Sequence, residues 1–327
     1  MSADDNSVRM QKPSAEEALR LLFPDLSLLG RIEQLRIASA SKVKGTLAGK
    51  RRSVSLGGSQ EFADYRPYAP GDDVRRIDWS VYGRTRRAYV RQFWDEQELV
   101  VHMYVDVSRS MSFGEQDANK LHYALKLAAS VGYAALCGDD RVSIKLFNDR
   151  VVQELPPVHG RAASPKWFQF IADAMRSSGT YQTSGHPSPE LDLSVPFRAP
   201  GTLPHRSGVT WLFTDAMFEE GIEETLLSLQ AAKQQVVLCH LLSPSELEPA
   251  LSGELKLIDS ELKTGKDIAV GHRLLSDYRM AVTTYREQLE RICAERGATY
   301  VFVNTGVSLT ETIHHVLLPA QALSGKS

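Results

Sequence analysis

The sequence has little cysteine, no long apolar run and almost no net charge, and each shortage removes a class of explanation. Only Cys137, Cys239 and Cys293 occur among 327 residues. Their odd number, wide separation and apolar surroundings point to buried reduced thiols rather than to a disulfide framework or a zinc site. A formal charge of −2 gives no global attraction for nucleic acid or an anionic membrane, so any charged surface has to be local. The most apolar segment, LKLAASVGYAALC at 125–137, is too short to span a bilayer and runs into Gly138, Asp139 and Asp140. The opening MSADDNSVRM is polar and acidic where a secretory signal is basic and then apolar. No export signal, no membrane insertion and a cytoplasmic location are therefore expected.

Signatures of catalysis are missing as well. There is no Gly-x-Ser-x-Gly elbow, and GTLAGKR at 45–51 has neither the loop length nor the Ser/Thr of a phosphate-binding loop. His102, His186, His205, His314 and His315 are scattered and read as surface or packing residues.

What is present is an apolar fraction of 43%, enough for a substantial core. Ser14 and Glu17 have capping-box spacing ahead of Leu19, Leu22 and Phe23, which predicts a short helix. A second helix is expected from about 27 to 41, followed by the basic run KVKGTLAGKRRSVSLGG, read as a solvated loop. From 61 to 97 aromatics, arginines and aspartates surround the turn Pro70-Gly71 and close in the strand-like AYVRQFW. Residues 1–97 are thus assigned to an N-terminal extension or small subdomain.

From 98 to 327 strand and helix patterns alternate. VVHMYVDV (100–107), RVSIKLF (141–147), VTWLFTD (209–215), QVVLCHLL (235–242) and ATYVFV (298–303) are nearly continuous apolar runs separated by helical stretches. Such runs predict an α/β, doubly wound, mostly parallel sheet covered on both faces, with the N-terminal subdomain beside it in sequence. The Gly/Ser/Pro-rich stretch 177–208 reads as the longest loop.

Open α/β sheets gather ligands outside the carboxyl ends of their strands. Asp106 ends one apolar strand and Asp215 another, and Ser108 and Ser110 follow Asp106 directly. Carboxylates and hydroxyls without sulfur or imidazole suit a hard cation such as Mg²⁺. Asp and Ser after a strand are also ordinary cap and turn residues, and the companion Thr214-Asp215 favours the cation.

Asp106-x-Ser108-x-Ser110, the pair Gly179-Thr180 and FTDA at 213–216 resemble the three motifs of the metal-ion-dependent adhesion site of von Willebrand factor A domains. The resemblance covers roughly 98–316 and implies a von Willebrand factor A-like, Rossmann-like fold with one Mg²⁺, or Mn²⁺ or Ca²⁺, per chain. The implied metal ligands are Asp106, Ser108, Ser110, Thr180 and Asp215. Relatives commonly carry Asp after the motif threonine, whereas Tyr181 stands here, and Thr183 is a second candidate for the loop ligand. Residues 61–98, with Arg66, Tyr68, Pro70-Gly71-Asp72-Asp73, Arg75, Ile77-Asp78-Trp79 and Val90-Arg91, resemble the signature of the bacterial domain of unknown function 58 family. That resemblance implies work alongside a MoxR-type AAA+ ATPase. Within the signature, Arg and Asp side chains are expected to pair and fasten the extension to the core, and Trp79 and Trp94 to pack.

The function implied is a non-enzymatic, divalent-metal-dependent protein–protein interaction module whose partner offers an acidic residue. The alternatives are a metal-assisted hydrolase or phosphoryl-transfer enzyme using Asp106, and a structural protein whose metal site is lost.

Overall fold

The computed structural model describes residues 13–39, 52–56, 62–96, 99–115, 118–181, 192–249, 253–258, 265–270 and 272–325. Thr183, His186 and most of the basic run lie outside the described residues. In chain order the strands are β1 (Leu35–Ile37), β2 (Arg52–Leu56), β3 (Phe62–Pro67), β4 (Tyr89–Glu96), β5 (Val100–Asp106), β6 (Arg141–Phe147), β7 (Val151–His159), β8 (Gly208–Thr214), β9 (Gln234–Leu242), β10 (Gly253–Ile258), β11 (Gly265–Val270), β12 (Thr299–Asn304) and β13 (Leu323–Gly325). The helices are α1 (Ala15–Leu22), α2 (Ser27–Ile32), α3 (Trp79–Thr85), α4 (Lys120–Leu136), α5 (Ser164–Arg176), α6 (Ser178–Tyr181), α7 (Val195–Arg198), α8 (Ile222–Ala231), α9 (Pro244–Leu247), α10 (His272–Glu295) and α11 (Leu309–Thr312). The chain divides into two compact units, residues 1–38 with 100–326, and residues 39–99.

The larger unit is built on a six-stranded sheet in the order β12-β9-β8-β5-β6-β7. Every pairing is parallel except β6–β7. The antiparallel β7 was not foreseen, because Pro156 and Pro157 argue against a strand; as an edge strand it tolerates them. Apolar residues cover both faces of the central strands, as near-continuous runs require. On one face Tyr104, Leu212 and Leu238 join Phe197, Leu226 and Cys293 in a buried cluster. By the pleat, Met103, Val105, Trp211 and Phe213 point the other way, and all are buried. There α4 packs on β5 and β6 and against α5. The chain steps from β5 to β6 on one side and later returns to β8 on the other. Strand order therefore reverses between β5 and β8, the position where open α/β sheets form their crevice.

The first helix carries the expected capping box, with Glu17 N donating to Ser14 Oγ and Ser14 N to Glu17. Phe23 beyond it meets Phe168 of α5 edge-on at 5.5 Å. The second helix ends at Ile32 rather than near 41, because Leu35–Ile37 pair antiparallel with β13. This long-range pairing overrides the local helical pattern and places residues 13–38 in the larger unit rather than with 39–97. Cys239 and Cys293 are buried, Cys137 is half-buried, and all three are thiols outside any disulfide.

The smaller unit is a three-stranded antiparallel sheet, β2-β4-β3, with α3. Arg66 grips Asp72 with both terminal nitrogens, at 2.6 and 2.7 Å, and Ala69 N donates to the same carboxylate. The guanidinium and this amide lower the Asp72 carboxyl to about 2. Gly71 has φ +106°, a conformation the turn can give only to glycine at little cost. Asp78 caps α3 through Oδ1, accepting from Ser80 N and Val81 N, while Oδ2 accepts from Arg91 at 2.9 Å and Tyr65 at 2.7 Å. These pairs are internal to the unit, whereas the sequence reading had them fastening it to the core. Trp79, expected to pack, is 64% exposed and meets the Tyr82 ring edge-on at 6.0 Å.

Arg91, then Tyr65, holds the Asp78 carboxyl below the ordinary carboxylate range. A depressed folded-state value means that its stabilisation is present at neutral pH and is lost as pH falls below about 4. Asp78→Ala is expected to lower the exchange protection factors of the Ser80 and Val81 amides at pH 7, and acidification of the wild type below pH 4 should lower them too once the slower intrinsic exchange in acid is divided out. Unchanged exchange in the variant rejects this role for the cap.

Candidate functional site

The turn after β5 is set by Asp106 itself. Val107 N still donates to Phe147 O at 2.8 Å, prolonging the ladder, and then Ser108 N folds back onto Asp106 Oδ1 at 2.8 Å. This Asx-type turn brings Ser108 Oγ and Ser110 Oγ to 3.1 Å from each other. The other Asp106 oxygen accepts from the Thr214 hydroxyl at 2.7 Å. Thr214 in turn accepts from Ala216 N at 3.0 Å. The ends of the two strands flanking the reversal point are thus tied together by side chains.

Ala216 lies in the left-handed region, φ +53°, which a non-glycine residue occupies only where its surroundings hold it. The Tyr285 hydroxyl donates to its carbonyl. Just before this bend, Asp215 Oδ1 accepts from Met217 N at 3.2 Å, and Oδ2 accepts from Lys120 Nζ at 2.7 Å. Lys120 donates also to Glu246 Oε1 at 2.5 Å. The second Glu246 oxygen closes the capping box of α9, accepting from Ser243 N and Oγ at 2.8 and 2.9 Å. Asp106, Asp215, Thr214 and Lys120 are fully buried.

Burial, followed by the charge of Asp215, pushes the Asp106 carboxyl up to about 7, against the hydrogen bonds from Thr214 and Ser108 that favour its charged form. Burial alone pulls Lys120 down, but the carboxylates of Asp215 and Glu246 outweigh it and leave the ammonium above its ordinary value. Two carboxylates, Asp215 and Glu246, therefore share one ammonium, and the third, Asp106, lies near enough to feel the charge of Asp215. Their formal excess of negative charge and the all-oxygen donor set suit a hard divalent cation, with the Ser108 and Ser110 hydroxyls as neutral ligands. Among the described residues no group of three or more His, Cys, Asp or Glu side chains is arranged to hold a metal ion. A cation here would accordingly depend on hydroxyls and water as much as on carboxylates.

Of the residues singled out from sequence, Asp106, Ser108 and Ser110 are brought together by the β5 turn, and Asp215 stands at the end of the adjacent strand. Thr180 is exposed on α6 and gives its hydroxyl to Ser177 O at 2.6 Å. Tyr181 beside it donates to Gln153 at 2.7 Å. Sequence reasoning missed Lys120 and Glu246. The only sequence signals were a lysine opening an otherwise apolar helix and a Ser243-x-x-Glu246 box after an apolar strand. Among the histidines, His102 is half-buried with Nδ1 2.8 Å from Ser143 Oγ, while His205, His314 and His315 are exposed.

The family model described as "Protein of unknown function DUF58" matches residues 64–288, and the chain belongs to that family. Uncharacterized proteins of Mycobacterium bovis and Mycobacterium tuberculosis are each 26% identical over 287 residues, which is 88% of this chain and 88% of theirs. Among solved structures, the conserved hypothetical protein BatB from Bacteroides thetaiotaomicron is 15% identical with a TM-score of 0.36, over 68% of this chain and 96% of that one. An aerotolerance-related membrane protein from Bacteroides fragilis is 16% identical with a TM-score of 0.37, over 63% and 91%. An uncharacterized membrane spanning protein from Vibrio fischeri is 13% identical with a TM-score of 0.17, over 67% and 97%. The cytoplasmic location expected from the sequence is corrected by these neighbours, two of which are named as membrane proteins. Among the described residues no helix is long and apolar enough to cross a membrane, and that fact assigns no compartment.

Proposed function

We propose that this family member is a divalent-cation-dependent protein-binding module, with a von Willebrand factor A-like domain whose adhesion site lies at the β5/β8 strand ends. The observation that carries this reading is the excess of buried negative charge at the point of strand reversal, where Asp215 and Glu246 share a single ammonium and Asp106 and two adjacent hydroxyls stand beside them. Ser108, Ser110, Asp106 and Asp215 would hold the cation, and a loop threonine, Thr180 or Thr183, would join them. When bound, the cation offers a Lewis-acidic position that an incoming carboxylate can complete. The hydroxyls add no charge, so the cation keeps attraction for that carboxylate. Asp106 and Thr214 keep the two strand ends in register, and Ala216 holds Asp215 at the bend. Binding rather than turnover is the output this reading assigns, since among the described residues no nucleophile–base pair accompanies the carboxylates.

An acidic residue on another protein is the ligand this site suits, and the family resemblance makes a MoxR-type AAA+ ATPase the partner to test. Pull-down with the purified ATPase should be supported by Mg²⁺, weakened by EDTA, and weakened to the same extent by Ser108→Ala combined with Ser110→Ala. Thermal unfolding of the double variant serves as the folding control. Retention of full ATPase binding by the folded double variant in EDTA sinks the reading.

A further inference from the structure

We infer that Lys120 is the internal counter-ion of this site and competes with a divalent cation for Asp215, so that it sets how tightly the site takes the ion. The inference rests on the ion site proposed above.

Lys120 has no exposed surface. An ammonium group is stripped of water at that depth only where close partners replace the water. Its two partners come from the ends of two neighbouring strands, Asp215 after β8 at 2.7 Å and Glu246 after β9 at 2.5 Å. Helix formation does not explain the lysine, because it occupies the first residue of α4, where the helix dipole disfavours positive charge. Asn119, the preceding residue, already caps the helix by accepting from His122 N at 3.0 Å. What the position does provide is a donor aimed between two carboxylates, with two of the three ammonium hydrogens used on them.

The competition follows from the accounting at Asp215. Oδ1 is engaged by Met217 N and Oδ2 by Lys120. A cation that takes Asp215 directly must share the carboxylate with the ammonium, and one that stays a water layer away still meets the repulsion of a positive charge beside it. Asp106, by contrast, accepts from neutral donors, the Thr214 hydroxyl and Ser108. With Lys120 in place the site is therefore asymmetric, open on the β5 side and guarded on the β8 side. Removal of the lysine turns the guarded side into two uncompensated carboxylates.

The test is calorimetric titration of the full chain with MgCl₂, with thermal unfolding in EDTA as a folding control. Lys120→Met should bind Mg²⁺ at least tenfold more tightly than wild type and unfold at a lower temperature in EDTA than in Mg²⁺. Lys120→Met combined with Glu246→Gln keeps the formal charge of the wild-type cluster and protects against a failure to fold. It should still bind several-fold more tightly, because Asp215 is released. If wild type binds Mg²⁺ and both variants bind it equally or more weakly, competition by Lys120 is overturned while the ion site stands. If wild type binds no Mg²⁺ but the variants do, Lys120 is the resident cation, and the metal-dependent function fails instead. Absence of binding in all three proteins ends both ideas.

Discussion

Asp106→Asn is expected to fold as the wild type does and to gain nothing from Mg²⁺, while the wild type gains about 2.7 kcal/mol when Mg²⁺ is supplied at roughly one hundred times its dissociation constant. The size of the wild-type gain follows from mass action alone, since the unfolded chain has no assembled site. Asparagine is the informative replacement, because its carbonyl oxygen can still accept from Ser108 N and its amide lies opposite Thr214, a hydroxyl able to reverse its role. Alanine would leave both groups without that partner in a fully buried place, adding about 1–3 kcal/mol of damage for each unsatisfied group and confusing loss of fold with loss of ion. The measurement is the thermal midpoint of each protein in EDTA and in Mg²⁺. A midpoint that rises equally in wild type and Asp106→Asn removes Asp106 from the ion site.

Trp167→Ala should be the most damaging single change away from that site, at about 3–5 kcal/mol, because the indole is wholly buried between α5 and α4. Its nitrogen donates to Ala129 O at 3.2 Å. Its ring lies so close to Gly132 that a Cβ added there would come within 2.2 Å of the indole. Glycine is therefore required in mid-helix by a neighbour rather than by its own backbone, despite the helix propensity it forgoes. Gly132→Val is expected to cost about 1–3 kcal/mol by overpacking. The two changes together should cost less than the sum of each alone, since the valine fills part of the space left by the indole. Denaturant unfolding of the four proteins measures the coupling. Strict additivity would mean that the ring and the glycine do not press on one another.

Local pattern carried much of the architecture. The runs ending at Asp106, Phe147, Thr214 and Leu242 are apolar almost without interruption, and strands buried on both faces have no other way to be written. Ser14 with Glu17 announced the first helix because both halves of a capping box lie within one turn. Where pattern failed, a distant partner decided. Leu35–Ile37 continue a helical stripe but become a strand because Leu323–Gly325 lie alongside, and Val151–His159 form an edge strand that accepts two prolines.

The candidate site divides in the same way. Asp106, Ser108 and Ser110 were legible because a single turn of five residues gathers them, and Asp215 because it closes another apolar run. Nothing local reveals that Lys120 reaches Asp215 across 95 positions and Glu246 across 126. In the sequence Lys120 is an ordinary polar residue at a helix start, and Glu246 an ordinary capping glutamate. The sequence by itself determined which strands end in oxygen ligands, since the apolar run and its terminating residues are contiguous. Only the tertiary structure decided that one of those ligands, Asp215, meets a buried ammonium, because strand order, not spacing along the chain, brings the ends of β5, β8 and β9 to the mouth of α4 and so sets the charge of the site.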